Sequence, residues 1–289
     1  MELIIIISSK NMEKSIRNSL SSKYQRFVKR GVSGITASSR VLPDFIIVGT
    51  VRSGTTSLYY NICEHPSVLP AAYDEIGFFD SNYNLGIEWY RSMFPKQKEI
   101  EEVRKNTGFA ITGEDTPFYF WKKEAIDRIF QCIPNVKIIS IFRNPVDRAY
   151  SNYNLGVRAN TEKSTFEDTI DEEIKFLENN SFRDSIDRKR SYITKGIYEK
   201  QMKTWFDVFP RKQIHILSTE EMEQKPQETL LKIFKFLEIP EYTIKNPQKQ
   251  KSAKYEKMNV ETRKRLLDYY QPFNEKFFKI INQRFNWEI

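Results

Sequence analysis

Residues 45–58 read FIIVGTVRSGTTSL, and this stretch decides the fold. Phe45-Ile46-Ile47-Val48 is a continuous apolar run bounded by Pro43 and Gly49, the pattern of a strand buried on both faces of a parallel sheet. Gly49-Thr50-Val51-Arg52-Ser53-Gly54-Thr55-Thr56 follows, and Ser57 to Glu64 then has helical spacing until His65-Pro66 stops it. A buried strand, a glycine turn and a helix in that order make a phosphate-binding corner. The amides of the turn and of the helix N-terminus converge on one anion.

The two glycines have Walker spacing, which next requires Lys and then Ser or Thr. Thr55 holds the Lys position, and the nearest cation is Arg52, inside the loop. The next apolar run, Ile138 to Phe142, ends in Arg143 rather than in a magnesium-binding Asp. The loop is built for phosphate without the magnesium machinery, which argues against a nucleotide kinase. A glycine-containing turn with no ligand is the alternative. A fold that binds nucleotide or glycan without catalysis is another, and its mark would be donor binding without turnover.

Outward from the loop, Asn135 to Phe142 predicts a second buried strand, and Pro145 opens a helix at its first position. Gln213 to Leu217 predicts a third strand, after an amphipathic helix over about Ile197 to Phe209. Further helices are expected over Pro226 to Leu237 and over Val260 to Tyr270, the last interrupted by Pro272. Residues 156–195 are highly charged and read as a helical insertion or a mobile cap. Strands alternating with helices predict one α/β domain over residues 41–289, a P-loop-like parallel sheet flanked by helices on both faces.

The chain has 289 residues and a net charge of +8. Six of those charges lie in residues 1–40, which hold eight basic and two acidic residues. The basic character is therefore a property of an N-terminal arm, and no nucleic-acid-binding surface is expected on the domain. A membrane contact through the arm is a minority reading. The apolar run Leu3 to Ile7 is too short for a membrane span or a signal core. With two cysteines, Cys63 and Cys132, and no recognisable signal, a cytoplasmic location is expected. The oligomeric state is not legible.

Arg143 sits at the C-terminal end of the second strand, where ligands of open α/β sheets bind. Ser151 lies two turns into the next helix. A guanidinium and a hydroxyl converging there suit a second phosphate. Two anion sites on adjacent strand ends point to a nucleotide bearing two separated phosphates.

These motifs resemble the sulfotransferases that use 3′-phosphoadenosine 5′-phosphosulfate (PAPS), of the heparan-sulfate N- and 3-O-sulfotransferase type. GTVRSGTTSL resembles their 5′-phosphosulfate loop, and IISIFRNPVDRAYSNY their 3′-phosphate motif. DEIGFFDSNYNLGIEWYRSMFP resembles the segment after the first helix, and YYQPFNEKFF and the final FNW resemble the C-terminal end. KSAKY at 251–255 lies where the family has a Lys-Gly-Arg-Lys-Tyr loop closing on the nucleotide.

The resemblance implies donor contacts from Arg52, Ser53, Gly54, Thr55, Thr56, Arg143, Ser151, Lys251, Ser252, Ala253, Lys254 and Tyr255. PAPS would be the co-substrate, with no metal, and the acceptor a hydroxyl or amine of a carbohydrate or small molecule. Arg52 stands at the family's catalytic Lys position. Glu75 matches the carboxylate that acts as base, with Asp74 as its alternative. The family's Glu-Lys-Ser/Thr reads Glu114-Asp115-Thr116 here, which turns a basic contact into an acid. His65 and His215 read as structural.

Overall fold

The structure, a computed structural model, describes residues 37–187, 190–247 and 255–287. Five parallel strands form one sheet. They are β1 (Phe45–Gly49), β2 (Val68–Pro70), β3 (Ile111–Asp115), β4 (Lys137–Phe142) and β5 (Ile214–Ser218), in the spatial order β2-β3-β1-β4-β5. Among the described residues the helices are α1 (Thr55–Cys63), α2 (Ile87–Arg91), α3 (Gln97–Thr107), α4 (Lys123–Cys132), α5 (Pro145–Arg158) and α6 (Phe166–Asn179). They continue with α7 (Phe182–Asp187), α8 (Glu199–Val208), α9 (Thr219–Gln224), α10 (Pro226–Leu237) and α11 (Val260–Ile281).

The period of two along each strand sorts its side chains between two apolar layers. Ile46, Val48, Ile138 and Phe142 enter the layer built with α4, α8 and α11. Phe45, Ile47, Ile139 and Ile141 enter the layer built with α1 and α10. Every β1 residue is buried, as a central strand requires. The sheet is therefore covered on both faces, and its C-terminal edge is left to the loops.

Three expectations change. The sequence pattern predicts neither β2 nor β3, because Ile111-Thr112-Gly113-Glu114-Asp115 is mostly polar. It is nevertheless buried, and two of its polar side chains find partners: Thr112 Oγ1 donates to the Leu69 carbonyl at 2.7 Å, and Glu114 accepts from Tyr90 at 2.6 Å. Gly113 is required there, for a Cβ would stand 2.5 Å from the Phe45 ring. Secondly, α11 continues through Pro272 to Ile281. The proline removes one amide, but Tyr270, Phe277, Phe278 and Ile281 are buried around it and hold the helix together. Thirdly, the open choice for residues 156–195 narrows to the helical insertion over their described part. Phe166 and Ile170 of α6 join Val146, Ala149, Ile193, Leu266 and Tyr270 in a third apolar cluster. That helical spacing is hidden among charges.

The run Leu3 to Ile7 and most of the basic arm lie outside the described residues. Residues 37–40 pack on the domain: Ala37 is buried, and Arg40 donates to the Phe94 carbonyl at 2.6 Å.

Candidate active site

The glycine turn leaves β1 at the centre of the sheet edge. Thr50 and Ser53 close it by a hydroxyl pair at 2.6 Å, and the Thr50 amide donates to the Ile141 carbonyl of β4 at 2.7 Å. From the far side, Thr219 Oγ1 donates to the carbonyls of Ser53 (2.8 Å) and Phe142 (3.0 Å). Gly54 is the N-cap of α1 with φ +88°, a left-handed conformation that glycine adopts without steric cost. Among the described residues no side chain caps α1, so its first amides, at Thr55, Thr56 and Ser57, are offered to a ligand. Ser53, Gly54 and Ser57 open onto a cavity of about 360 Å³ that Thr219, Met222, Pro226 and Pro247 close. A larger cavity, about 580 Å³ around Asp44, Arg104 and Lys137, lies at the opposite end of the strands, away from the loop.

On the β4 side the predicted cationic site assembles. Arg52, with φ +70°, sends its guanidinium to Ser151 of α5, and Nε and Nη2 both donate to Oγ at 3.1 Å. Arg143 Nη1 donates to the Arg52 carbonyl at 3.3 Å. Burial first, then Arg158 and Arg143, hold the Arg52 guanidinium below its ordinary value, though an arginine keeps its charge. Tyr255 reaches the same place: its ring meets Tyr150, the neighbour of Ser151, edge-on at 5.5 Å. Lys251, Ser252, Ala253 and Lys254 lie outside the described residues.

The end of β4 is also clasped from the C-terminal segment. The Asn144 amide donates to Glu220 at 2.9 Å, Trp287 Nε1 donates to the other Glu220 oxygen at 3.1 Å, and Asn144 Nδ2 donates to the Trp287 carbonyl at 3.0 Å.

On the β3 side the loop after β2 carries Glu75. Its amide donates to the Asp115 carbonyl at 2.9 Å, and Tyr60 of α1 bonds Asp74. Ile47 of β1 pairs with Asp115, so Glu75 is anchored one strand from the phosphate loop. Burial first, then Asp74, raise the Glu75 carboxyl above its ordinary value. Glu114 is a group that sequence reasoning missed. It is fully buried and accepts from Tyr90 (2.6 Å), Tyr119 (3.4 Å) and Thr116 (2.6 Å), while Thr116 takes the Gly77 amide at 3.2 Å. It thereby ties the Glu75 loop to the sheet. Asp115 is wholly buried too, and its carboxyl oxygens have no hydrogen-bond partner among the described residues.

The histidines stand apart. His65 accepts the Ser67 amide and donates to the Pro240 carbonyl at 2.9 Å, and His215 stacks on Phe236 in β5.

The sulfotransferase domain family matches residues 42–278. The chain belongs to that family. This sulfotransferase is 26% identical to the membrane-associated sulfotransferase kil1 of Dictyostelium discoideum, over 86% of this chain and 67% of that protein. It is 29% identical to human heparan sulfate glucosamine 3-O-sulfotransferase 3B1, over 87% of this chain and 66% of that one. The chain thus spans about two thirds of the length of these relatives. A sulfotransferase of Alicyclobacillus acidocaldarius shares the fold with a TM-score of 0.64 at 24% identity, over 85% of this chain and 98% of that one.

The comparisons correct the cytoplasmic expectation, since the relatives are a membrane-associated enzyme and heparan sulfate enzymes. Scarce cysteines and a short apolar run do not decide a compartment. No described helix is long and apolar enough to cross a membrane.

Proposed function

We propose that this enzyme transfers the sulfuryl group of PAPS to a hydroxyl or amine of a carbohydrate or small-molecule acceptor, releasing adenosine 3′,5′-bisphosphate. One observation carries the reading: the uncapped N-terminus of α1 and the Arg52–Ser151–Arg143 cluster stand side by side at the ends of β1 and β4. Such a pair suits a nucleotide with phosphates at both ends of its ribose. The residues present fit that donor. Ser53, Gly54, Thr55 and Thr56 would hold the 5′ group, Arg143 and Ser151 the 3′-phosphate, and Tyr255 the closing side. The relatives named for heparan sulfate glucosamine support a carbohydrate acceptor.

In the reaction the acceptor oxygen or nitrogen attacks sulfur, and the bond to the bridging oxygen breaks with its electron pair staying on the 5′-phosphate. Glu75 takes the acceptor's proton. Arg52 compensates the charge growing on the leaving side.

Calorimetry without magnesium tests the donor. Adenosine 3′,5′-bisphosphate is expected to bind at millimolar affinity or better. Arg143→Ala is expected to weaken it by about 2–3 kcal/mol relative to the nucleotide lacking the 3′-phosphate. Absence of binding, or strict metal dependence, overturns the reading. An acceptor screen with labelled PAPS then identifies the partner.

A further inference from the structure

We propose that Lys195, backed by Arg148, is a further catalytic residue whose ammonium binds the sulfonate oxygens of the donor opposite the phosphate loop. The proposal rests on the PAPS reading above and concerns a residue that the sequence motifs leave aside.

Placement comes first. Lys195 lies in a 3-10 turn, Thr194–Gly196, that crosses the C-terminal edge of the sheet. On one side its Nζ stands 6.0 Å from the centre of the Phe118 ring, just beyond β3. On the other, Tyr198 donates to the Arg143 carbonyl beyond β4 at 3.0 Å, and Gly196 packs on Pro145. Since β1 lies between β3 and β4, these contacts put the turn between the two segments that flank the phosphate loop.

Among the described residues, the charges around Lys195 compensate it only in part. Arg148 of α5, Glu173 of α6, Asp187 of α7 and Lys122 before α4 are the charged groups about it. Glu173 is spent on the turn itself: it accepts from the amides of Tyr192 (2.6 Å), Ile193 (2.8 Å) and Thr194 (2.7 Å) and from the Thr194 hydroxyl (2.8 Å). Asp187 is paired with Lys122. Arg148 has no exposed surface; its Nη2 donates to the Tyr192 carbonyl, and its Nε and Nη1 have no partner among the described residues. Glu173 keeps its charge nearby, but neither Lys195 nor Arg148 has an ion-pair partner among the described residues, and a half-buried ammonium beside a buried guanidinium favours a further anion. Burial first, then Arg148, lower the Lys195 ammonium to about 8.

The geometry of Arg52 leaves a role for this pair. Its guanidinium is turned to Ser151, toward the 3′-phosphate site. A sulfonate seated at the α1 N-terminus then has backbone donors beneath it, and Lys195 supplies the cation above. Lys195 forms and breaks no covalent bond in the transfer, and its proton stays in place.

The test compares the binding of PAPS and adenosine 3′,5′-bisphosphate by calorimetry, with the full chain and its Lys195→Met and Lys195→Arg variants. Lys195→Met is expected to bind the bisphosphate within about twofold of wild type and PAPS at least about tenfold more weakly, the loss of one charge-assisted contact. Lys195→Arg restores most of the PAPS affinity. In wild type, PAPS affinity alone falls as pH rises through about 8, and in Lys195→Arg that fall is absent. The pH profile of wild type decides the matter even if Lys195→Met does not fold. Equal loss for both nucleotides, or a loss seen only in acceptor KM, overturns the role of Lys195. Wild type that binds neither nucleotide overturns the donor reading itself.

Discussion

Arg52 lies in the phosphate loop with its side chain turned to the β4 side, Glu75 lies on the β3 side, and their variants separate the two ends of the displacement. Arg52→Ala is expected to lower turnover with every acceptor, and Arg52→Lys to lower it less, because Lys keeps the charge but loses the two-pronged contact with Ser151. Glu75→Gln is expected to lower kcat by about 10²–10⁴-fold while nucleotide affinity stays near wild type. A base must be deprotonated to act, so the acid limb of the wild-type rate profile lies above the ordinary carboxylate value, and it vanishes in Glu75→Gln. Steady-state kinetics of the three variants with one hydroxyl acceptor check this. Full turnover in Glu75→Gln would hand the base to Asp74.

The β1–β3 pair shows how little room the central elements leave. Gly113→Ala would drive a methyl group into the buried Phe45 ring, and a cost of about 1–3 kcal/mol is expected in urea unfolding. Adding Phe45→Leu relieves the clash, so the double variant is less destabilised than the two single changes summed. This pair also marks where the sequence stops being legible. β1, β4 and β5 announce themselves as apolar runs, and the loop's glycines and Arg52 can be read from spacing alone. β3 cannot, because a strand carrying Thr112, Glu114 and Asp115 is stable inside only through partners, such as Tyr90, that lie far away in sequence. The same holds for the site. Arg143 and Ser151 are visible through motif spacing, and Glu75 only through the family resemblance. The Glu114 network and the surroundings of Lys195 exist only once distant segments are folded together. Pro272 misleads for the opposite reason: a local rule is outweighed by the aromatic side chains packed on either side of it.

Two buried carboxyls and the half-buried His215 make the stability of the whole molecule depend on pH. Burial raises Glu114 to about 7 against polar contacts that lower it, and burial and then Asp74 hold Asp115 well above the ordinary range. The folded state therefore holds protons that the unfolded chain releases from about pH 4–5 upward, and stability falls as pH rises through that window. His215 works the other way. Burial lowers it to about 4, so its contribution is lost as pH falls from about 6.5. Between about pH 5 and 6.5 His215 and Glu114 offset each other; above that range the acids act alone. Unfolding free energies at pH 5 and pH 8 are expected to differ by about 2–3 kcal/mol less in Glu114→Gln than in wild type.

The clasp at Asn144 has a consequence for biosynthesis. Asn144 and Trp287 are separated by 143 residues, yet they share Glu220 and a direct hydrogen bond beside Arg143. A ribosome adding about 5–20 residues per second takes roughly 7–30 s between the two. For that interval the nascent chain carries a finished β4 whose adjoining loop lacks its last partners. The nucleotide cleft thus matures only after residues far downstream of its own loops have been made.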